Sequence, residues 1–217
     1  GKLTLIGSTR DITEQRKQEK KLKERARKDS LTGLYNQVYG KKCINKYLNH
    51  KKPFDSCGMI VLDVDSFKLV NDNYGHLFGD KVLARLAMLL KEVFRDNDSI
   101  LMRAGGDEFV IFVKDILNIE LVRKNVELMQ KIRNLQFGKT GCTITCSAGC
   151  CYLPENVSGY TYDQLFENAD IALYKAKERG KNCYVYCDSL QHFSSMIAEQ
   201  EKQEEMLEAR YFQNDIV

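Results

Sequence analysis

Two pairs of carboxylates stand out for the chemistry they could do. Asp107 and Glu108 are adjacent in Arg103-Ala104-Gly105-Gly106-Asp107-Glu108-Phe109, and Asp63 and Asp65 close the apolar run Cys57-Gly58-Met59-Ile60-Val61-Leu62. Neighbouring acids on a tight turn repel one another, so their placement suits a divalent cation better than it suits stability. A solvated acidic hairpin is the plainer alternative, and the hairpin alone does not decide between them. Asp63 and Asp65 lie two apart and so point the same way along a strand, which should bring one of them to a ligand at the strand's end. Asp65 also reads as a cap for the helix opening at Ser66-Phe67.

The surrounding elements are legible from pattern. Ser99–Met102 and Val110–Val113 are short apolar runs joined by the Gly-Gly turn, a β-hairpin. Glycine there allows a backbone turn that a side chain would obstruct and lets a ligand approach closely. Cys57–Val64 has the continuous apolar character of a buried central strand. Phe67–Asp72 predicts a short helix and Asn73–His76 a turn. From Gly79-Asp80 onward, Val82, Leu83, Leu86, Ala87, Leu90 and Phe94 recur at amphipathic-helix spacing, with Asp80 placed to cap the start. Further helices are expected over Gln37–Asn49, Asn118–Asn134 and from Thr161 to Arg179-Gly180, with a last strand over Cys183–Cys187. Helix, strand, helix, helix, hairpin, helix, strand, helix, strand is the order of an α+β domain, with helices packed on a largely antiparallel central sheet.

Composition narrows the class. The chain has 217 residues, 43% hydrophobic and 29% charged, with a net charge of +3, too small to argue for nucleic acid. The Lys-rich stretch before residue 29 also lacks interleaved aromatics. No apolar run is long enough to span a bilayer and no signal peptide is visible, so a cytoplasmic setting is expected, with attachment of a longer protein to a membrane left open. The eight cysteines are too sparse for a disulfide scaffold. Cys142, Cys146 and Cys150 should share one strand face with Ile144 and Ala148 as small buried apolar groups; no paired CxxC spacing supports zinc.

The hairpin motif resembles the signature of GGDEF-domain diguanylate cyclases, and three further motifs follow the same family in order. Asp29-Ser30-Leu31-Thr32-Gly33-Leu34-Tyr35-Asn36 is similar to the family's opening turn. Asp63-Val64-Asp65-Ser66-Phe67-Lys68-Leu69-Val70-Asn71-Asp72, with Gly75-His76 and Gly79-Asp80, resembles its metal- and base-binding block. Ala169 to Lys177, with Gly180-Lys181-Asn182, resembles its closing helix and turn.

The resemblance implies a domain like the nucleotide cyclases and the polymerase palm, joining two GTP into cyclic di-GMP. In that chemistry a 3′-hydroxyl attacks an α-phosphate and pyrophosphate leaves, assisted by Mg²⁺, with Mn²⁺ as an alternative. By resemblance, Asp63, Asp107, Glu108 and the Val64 carbonyl are metal ligands, and Glu108 is the acid that helps deprotonate the nucleophile. Asn71 and Asp80 match the guanine readers, an amide and a carboxylate that suit guanine's edge. Lys68, Lys177 and Lys181 match phosphate contacts, joined by the backbone amides of Ser66 and Phe67. The family often has Arg at the position of Lys181, and Lys offers a point charge instead of a fork.

Each active site holds one GTP, so a homodimer is implied. Residues 1–10 resemble the end of an upstream PAS sensor domain, 11–28 a helical signalling linker, 29–187 the cyclase domain, and 188–217 a C-terminal helical extension. The competing function is a catalytically silent GTP-binding regulatory module; the intact acids and Lys68 argue against it.

Arg95-Asp96-Asn97-Asp98 has the Arg-x-x-Asp pattern of the family's product-inhibition site, but one residue further from Gly105 than the family's spacing. High-affinity inhibition by cyclic di-GMP is therefore expected to be absent or weakened. Strong inhibition at low cyclic di-GMP that Arg95→Ala abolishes would overturn this.

Overall fold

The computed structural model describes residues 13–95, 98–138 and 141–187. The expectations for 1–10, for the first two linker residues and for 188–217 lie outside the described residues.

The elements in chain order are α1 (Thr13–Ala26), β1 (Tyr35–Asn36), α2 (Gln37–Leu48), β2 (Cys57–Val64), α3 (Phe67–Tyr74), α4 (His76–Val93), β3 (Ser99–Gly105), β4 (Glu108–Lys114), α5 (Asn118–Arg133), β5 (Cys146–Leu153), α6 (Tyr162–Glu178) and β6 (Tyr184–Tyr186). They form one six-stranded sheet in the order β1-β3-β4-β2-β5-β6. The interior matches the antiparallel expectation: β4 and β5 both run antiparallel to β2, and β3 and β4 form the hairpin. The two edges do not. β1 runs parallel to β3 and β6 parallel to β5, and both are very short.

Period-two alternation sorts the side chains of β2 to two cores. Ile60, Leu62 and Val64 face α4 and α5, where Val82, Leu86, Leu90, Leu121, Leu128 and Ile132 pack with them. Cys57, Met59 and Val61 face α2 and α6, against Ile44, Leu48, Leu165, Ala169, Leu173 and Ala176. Cys142, Ile144, Cys146, Ala148 and Cys150 share the first core as expected, although regular strand begins only at Cys146. Burial pushes the Cys57 thiol up to about 12, so it stays protonated and behaves as an apolar group.

Several boundaries differ from the sequence expectation, for local reasons. Helix α4 opens at His76, three residues before Gly79, because Gly75 at φ 82° ends α3 and starts α4 with no side-chain cap. Asp80 therefore lies one turn inside the helix and is not its cap. α3 likewise runs on to Tyr74. At the other end of the chain, α6 opens on a capping box. Thr161 Oγ1 accepts from Gln164 N at 3.3 Å, and Gln164 Oε1 accepts from Thr161 N at 2.9 Å.

Candidate active site

The four motifs converge at one end of β2. Antiparallel register sets Asp63 directly opposite Glu108, the first residue of β4, and opposite Ser147 of β5. Asp107 precedes Glu108 in the two-residue turn that joins the hairpin. Like charges held opposite each other across a sheet are destabilising, so the pair is unlike an ordinary cross-strand contact. Burial pushes the Glu108 carboxyl up, and Asp63 and Asp170 add to the rise against the opposing pull of Lys177. Burial also raises Asp63, partly offset by Lys177 and reinforced by Asp107 and Asp65. Asp63 is only 8% exposed, and its counter-ion is Lys177, with Nζ 3.0 Å from Oδ1.

Helix α6 can deliver Lys177 to Asp63 because it lies unusually near the sheet. Gly149 faces it, and a β-carbon there would run into Ala169 O and Leu173 N. Ala169, Ala172 and Ala176 complete the small-residue face that α6 turns inward.

Beyond β2 the chain turns sharply. Ser66 adopts a left-handed conformation, φ 56°, and precedes α3 without making a side-chain cap. Lys181 reaches back from the turn after α6, with Nζ 3.0 Å from Ser66 Oγ. The expected phosphate contacts Ser66 and Lys181 are thus neighbours. Phe67 packs against the core. Lys68 is exposed on the first turn of α3.

Asp65 is not a helix cap. Its Oδ1 accepts from Ser147 Oγ at 2.6 Å and its Oδ2 from Thr145 Oγ1 at 2.7 Å and Asn182 N at 2.9 Å. It joins the end of β2 to β5 and to the turn bearing Lys181, which no spacing within the motif could reveal.

Asn71 lies on α3 and Asp80 on α4, and Gly79, next to Asp80 in sequence, packs against the Asn71 side chain. A β-carbon at Gly79 would collide with Asn71 Oδ1 and come within 3.0 Å of Phe67 Cζ. Gly79→Ala is therefore expected to displace the Asn71 amide and, on the expectation that Asn71 reads guanine, to weaken GTP binding about tenfold, the scale of one lost polar contact to the base. Titration with guanosine and GTP checks this: both should weaken together, and unchanged guanosine affinity would contradict it.

A second link ties the opening turn to the hairpin. Arg103 donates through Nε and Nη2 to Gly106 O, at 2.9 and 2.6 Å, and its Nη1 lies 3.4 Å from both Asp29 oxygens. Asp29 in turn accepts from Thr32 N and Oγ1. Burial opposes ionisation of Asp29, but Thr32 and Arg103 hold its carboxyl below the usual carboxylate range. Asn36 fastens the preceding helix: Nδ2 donates to Ala26 O at 2.8 Å while Oδ1 caps α2 by accepting from Tyr39 N at 3.0 Å. The sequence motif contains Asp29 and Arg103, but their partnership across 74 residues is visible only in the fold.

At the off-register Arg-x-x-Asp stretch, Asp96 and Asn97 lie outside the described residues. The Asp98 carboxylate is paired with Lys114 at 2.9 Å, and Ser99 Oγ donates to Phe94 O at 3.3 Å.

An antiparallel sheet interior with acids gathered at the end of its central strand and on the neighbouring hairpin, under a lysine-bearing helix, is the architecture of a nucleotide-cyclase-like α+β domain. The family profile described as "Diguanylate cyclase, GGDEF domain" matches residues 26–183. The chain belongs to the GGDEF family of diguanylate cyclase domains.

Among its relatives are the diguanylate cyclase DgcS of Shewanella oneidensis, 35% identical over 72% of this chain and 51% of DgcS, and the diguanylate cyclase DgcZ of Escherichia coli, 33% identical over 76% of this chain and 54% of DgcZ. The cyclic di-GMP phosphodiesterase PdeR of Escherichia coli is 35% identical over 82% of this chain and 26% of PdeR. The chain thus spans from about a quarter to about half the length of these curated relatives. In fold it is similar to the coiled coil and GGDEF domain of DgcB from Caulobacter crescentus, with TM-score 0.73 and 24% identity over 81% of this chain and 93% of that one. It is also similar to the diguanylate cyclase SiaD of Pseudomonas aeruginosa, with TM-score 0.70 and 29% identity over 80% of this chain and 66% of that one. Among the described residues no helix is long and apolar enough to cross a membrane.

Proposed function

We propose that this domain is an active diguanylate cyclase that condenses two GTP into cyclic di-GMP with release of two pyrophosphates. Asp63 set opposite Glu108 carries this reading, because two partly buried, repelling carboxylates beside Asp107 have no structural advantage and a clear chemical use. Among the described residues no three His, Cys, Asp or Glu side chains are already gathered closely enough to hold a metal ion by themselves. We assign the ion as Mg²⁺, an oxygen-ligand cation that shares its shell with water and substrate phosphate. Asp63, Asp107, Glu108 and the Val64 carbonyl would hold it, with Mn²⁺ as an alternative. When bound, such an ion neutralises phosphate charge and lowers the pKa of the attacking hydroxyl.

The chain's own residues supply the rest. Asn71 and Asp80 read guanine, with Asp80 favouring GTP over ATP. Lys181, Lys177, Lys68 and the amides of Ser66 and Phe67 hold the phosphates. Glu108, with its carboxyl raised, is poised to accept the 3′-hydroxyl proton. One domain binds one GTP, so turnover needs two domains face to face, with α1 and an upstream sensor governing their approach.

Purified protein incubated with GTP and Mg²⁺ should yield cyclic di-GMP by mass, more of it when two copies are joined through α1. GTP binding without product even in the joined dimer would instead favour a silent regulatory module.

A further inference from the structure

We propose that Arg133, on the last turn of α5, is a positioning residue for the triphosphate end of the site, acting through Asn182. The proposal rests on the reading of Lys181 as a phosphate contact.

The turn after α6 is built against ordinary backbone preference. Gly180, Lys181 and Asn182 follow one another at φ 100°, 66° and 50°. Glycine adopts this region freely and asparagine tolerates it, but lysine does so only where the surroundings enforce it. Three sets of bonds do so here. Lys181 N donates to Ala176 O at 3.2 Å, closing the end of α6. Asn182 N donates to Asp65 Oδ2 at 2.9 Å. From the opposite side Arg133 grips Asn182 with both arms, Nε to Oδ1 at 2.8 Å and Nη2 to the backbone carbonyl at 2.9 Å.

Arg133 belongs to the helix layer on the other face of the sheet from α6, since α5 packs with Leu128, Met129 and Ile132 on the α4 side. Its fork therefore spans the two layers beside the β6 edge. Two parallel N–H donors in a rigid plane fix the carbonyl and the side-chain amide of one residue together, which the single ammonium of a lysine cannot do. With Asn182 fixed, the peptide before it is fixed, and Lys181 is aimed at Ser66 Oγ. Asp65 performs the same service from within, because its carboxylate also ties Thr145 and Ser147 of the neighbouring strand end. The phosphate lysine thus stands on a strained turn braced by an acid in front and an arginine behind, and the bonds of both braces run to protein atoms.

Bracing of this kind should govern phosphate affinity without governing base recognition. Binding of a non-hydrolysable GTP analogue with Mg²⁺ and binding of guanosine are compared in the full chain, alongside thermal melting. Arg133→Ala is expected to weaken the triphosphate about tenfold, on the scale of one lost phosphate contact, and to leave guanosine unchanged. Arg133→Lys should recover part of the loss. Asn182→Gly, which keeps the left-handed backbone but removes the gripped amide, should match Arg133→Ala, and combining the two should add little. It also serves if Arg133→Ala does not fold.

Equal triphosphate binding in Arg133→Ala and wild type would overturn the proposal. So would a proportional loss of guanosine and triphosphate together with a large drop in melting temperature, which marks general destabilisation. Wild type that binds guanosine but gains nothing from the phosphates would sink the reading of Lys181 itself, and this proposal with it.

Discussion

Glu108→Gln is expected to abolish cyclic di-GMP formation while making the metal-free protein more heat-stable. The loss follows from removing the proposed proton acceptor and metal ligand at once, about a hundredfold to ten-thousandfold for the acid–base part alone. The gain follows from the register that sets Glu108 against Asp63. Glu108 is held above its ordinary range by burial and by Asp63 and Asp170, so its ionised form is a net cost to the fold at neutral pH. Relief of a directly opposed like pair is worth about 0.2–1 kcal/mol, or roughly 0.4–4 °C in melting temperature for a domain of this size.

The sign extends to pH. A carboxyl whose folded pKa is raised contributes stability below that pKa and loses it as pH climbs through it. The wild-type acid pair should therefore weaken the metal-free fold as pH rises from about 4 towards neutrality, and Glu108→Gln should lessen that slope. On the proposed assignment of Glu108 as a metal ligand, saturating Mg²⁺ should reverse the ranking, because binding to the folded state stabilises the protein that still has that ligand. Melting curves with and without Mg²⁺ at two pH values test all of this. A metal-free variant that melts below wild type at neutral pH would refute the account of two like charges held together at a net cost.

Among the glycines of the described residues, Gly149 is where an added methyl group, Gly149→Ala, is expected to be most disruptive. The added β-carbon would meet backbone atoms of Ala169 and Leu173, which cannot rotate aside as a side-chain tip can. Overpacking of this kind costs about 1–3 kcal/mol, or roughly 2–12 °C here. Accommodation requires α6 to lift, which draws Lys177 from Asp63 and loosens the turn carrying Lys181. Activity should consequently fall even at temperatures where the variant is fully folded, and circular dichroism alongside turnover would separate the two effects. A variant with wild-type melting would mean that α6 already has room to shift.

Much of this was legible in the sequence because the signals were local. Gly-Gly followed by two acids marks a turn whatever surrounds it, the unbroken apolar run of β2 marks a central strand, and the periodicity of α5 and α6, with the turn and cap residues around α2, placed these helices within a few residues. Strand β1 was not legible: two residues, Tyr35 and Asn36, carry no alternation and are strand only because β3 lies beside them. The opening of α4 was misplaced because a glycine with no capping side chain separates it from α3. Asp65 was misread because its spacing fits a helix cap, whereas its partners stand 80, 82 and 117 residues away. Arg133 gave no signal, being one more basic residue in a helix's last turn. Motif residues announce themselves by type, and the residues that hold them in place do so only through contacts distant in sequence.

The brevity of the two outer strands bears on how copies of this domain can meet. An exposed strand edge is a template for pairing with another chain, and long flat edges invite aggregation. Among the described residues the sheet ends on each side in a strand of two or three residues, run parallel to its neighbour, so these outermost strands offer little ladder to extend. Two such domains crowded together, as their proposed chemistry requires, would find scant opportunity to fuse sheets. Their encounter is left to helices and loops, where it can be made and unmade.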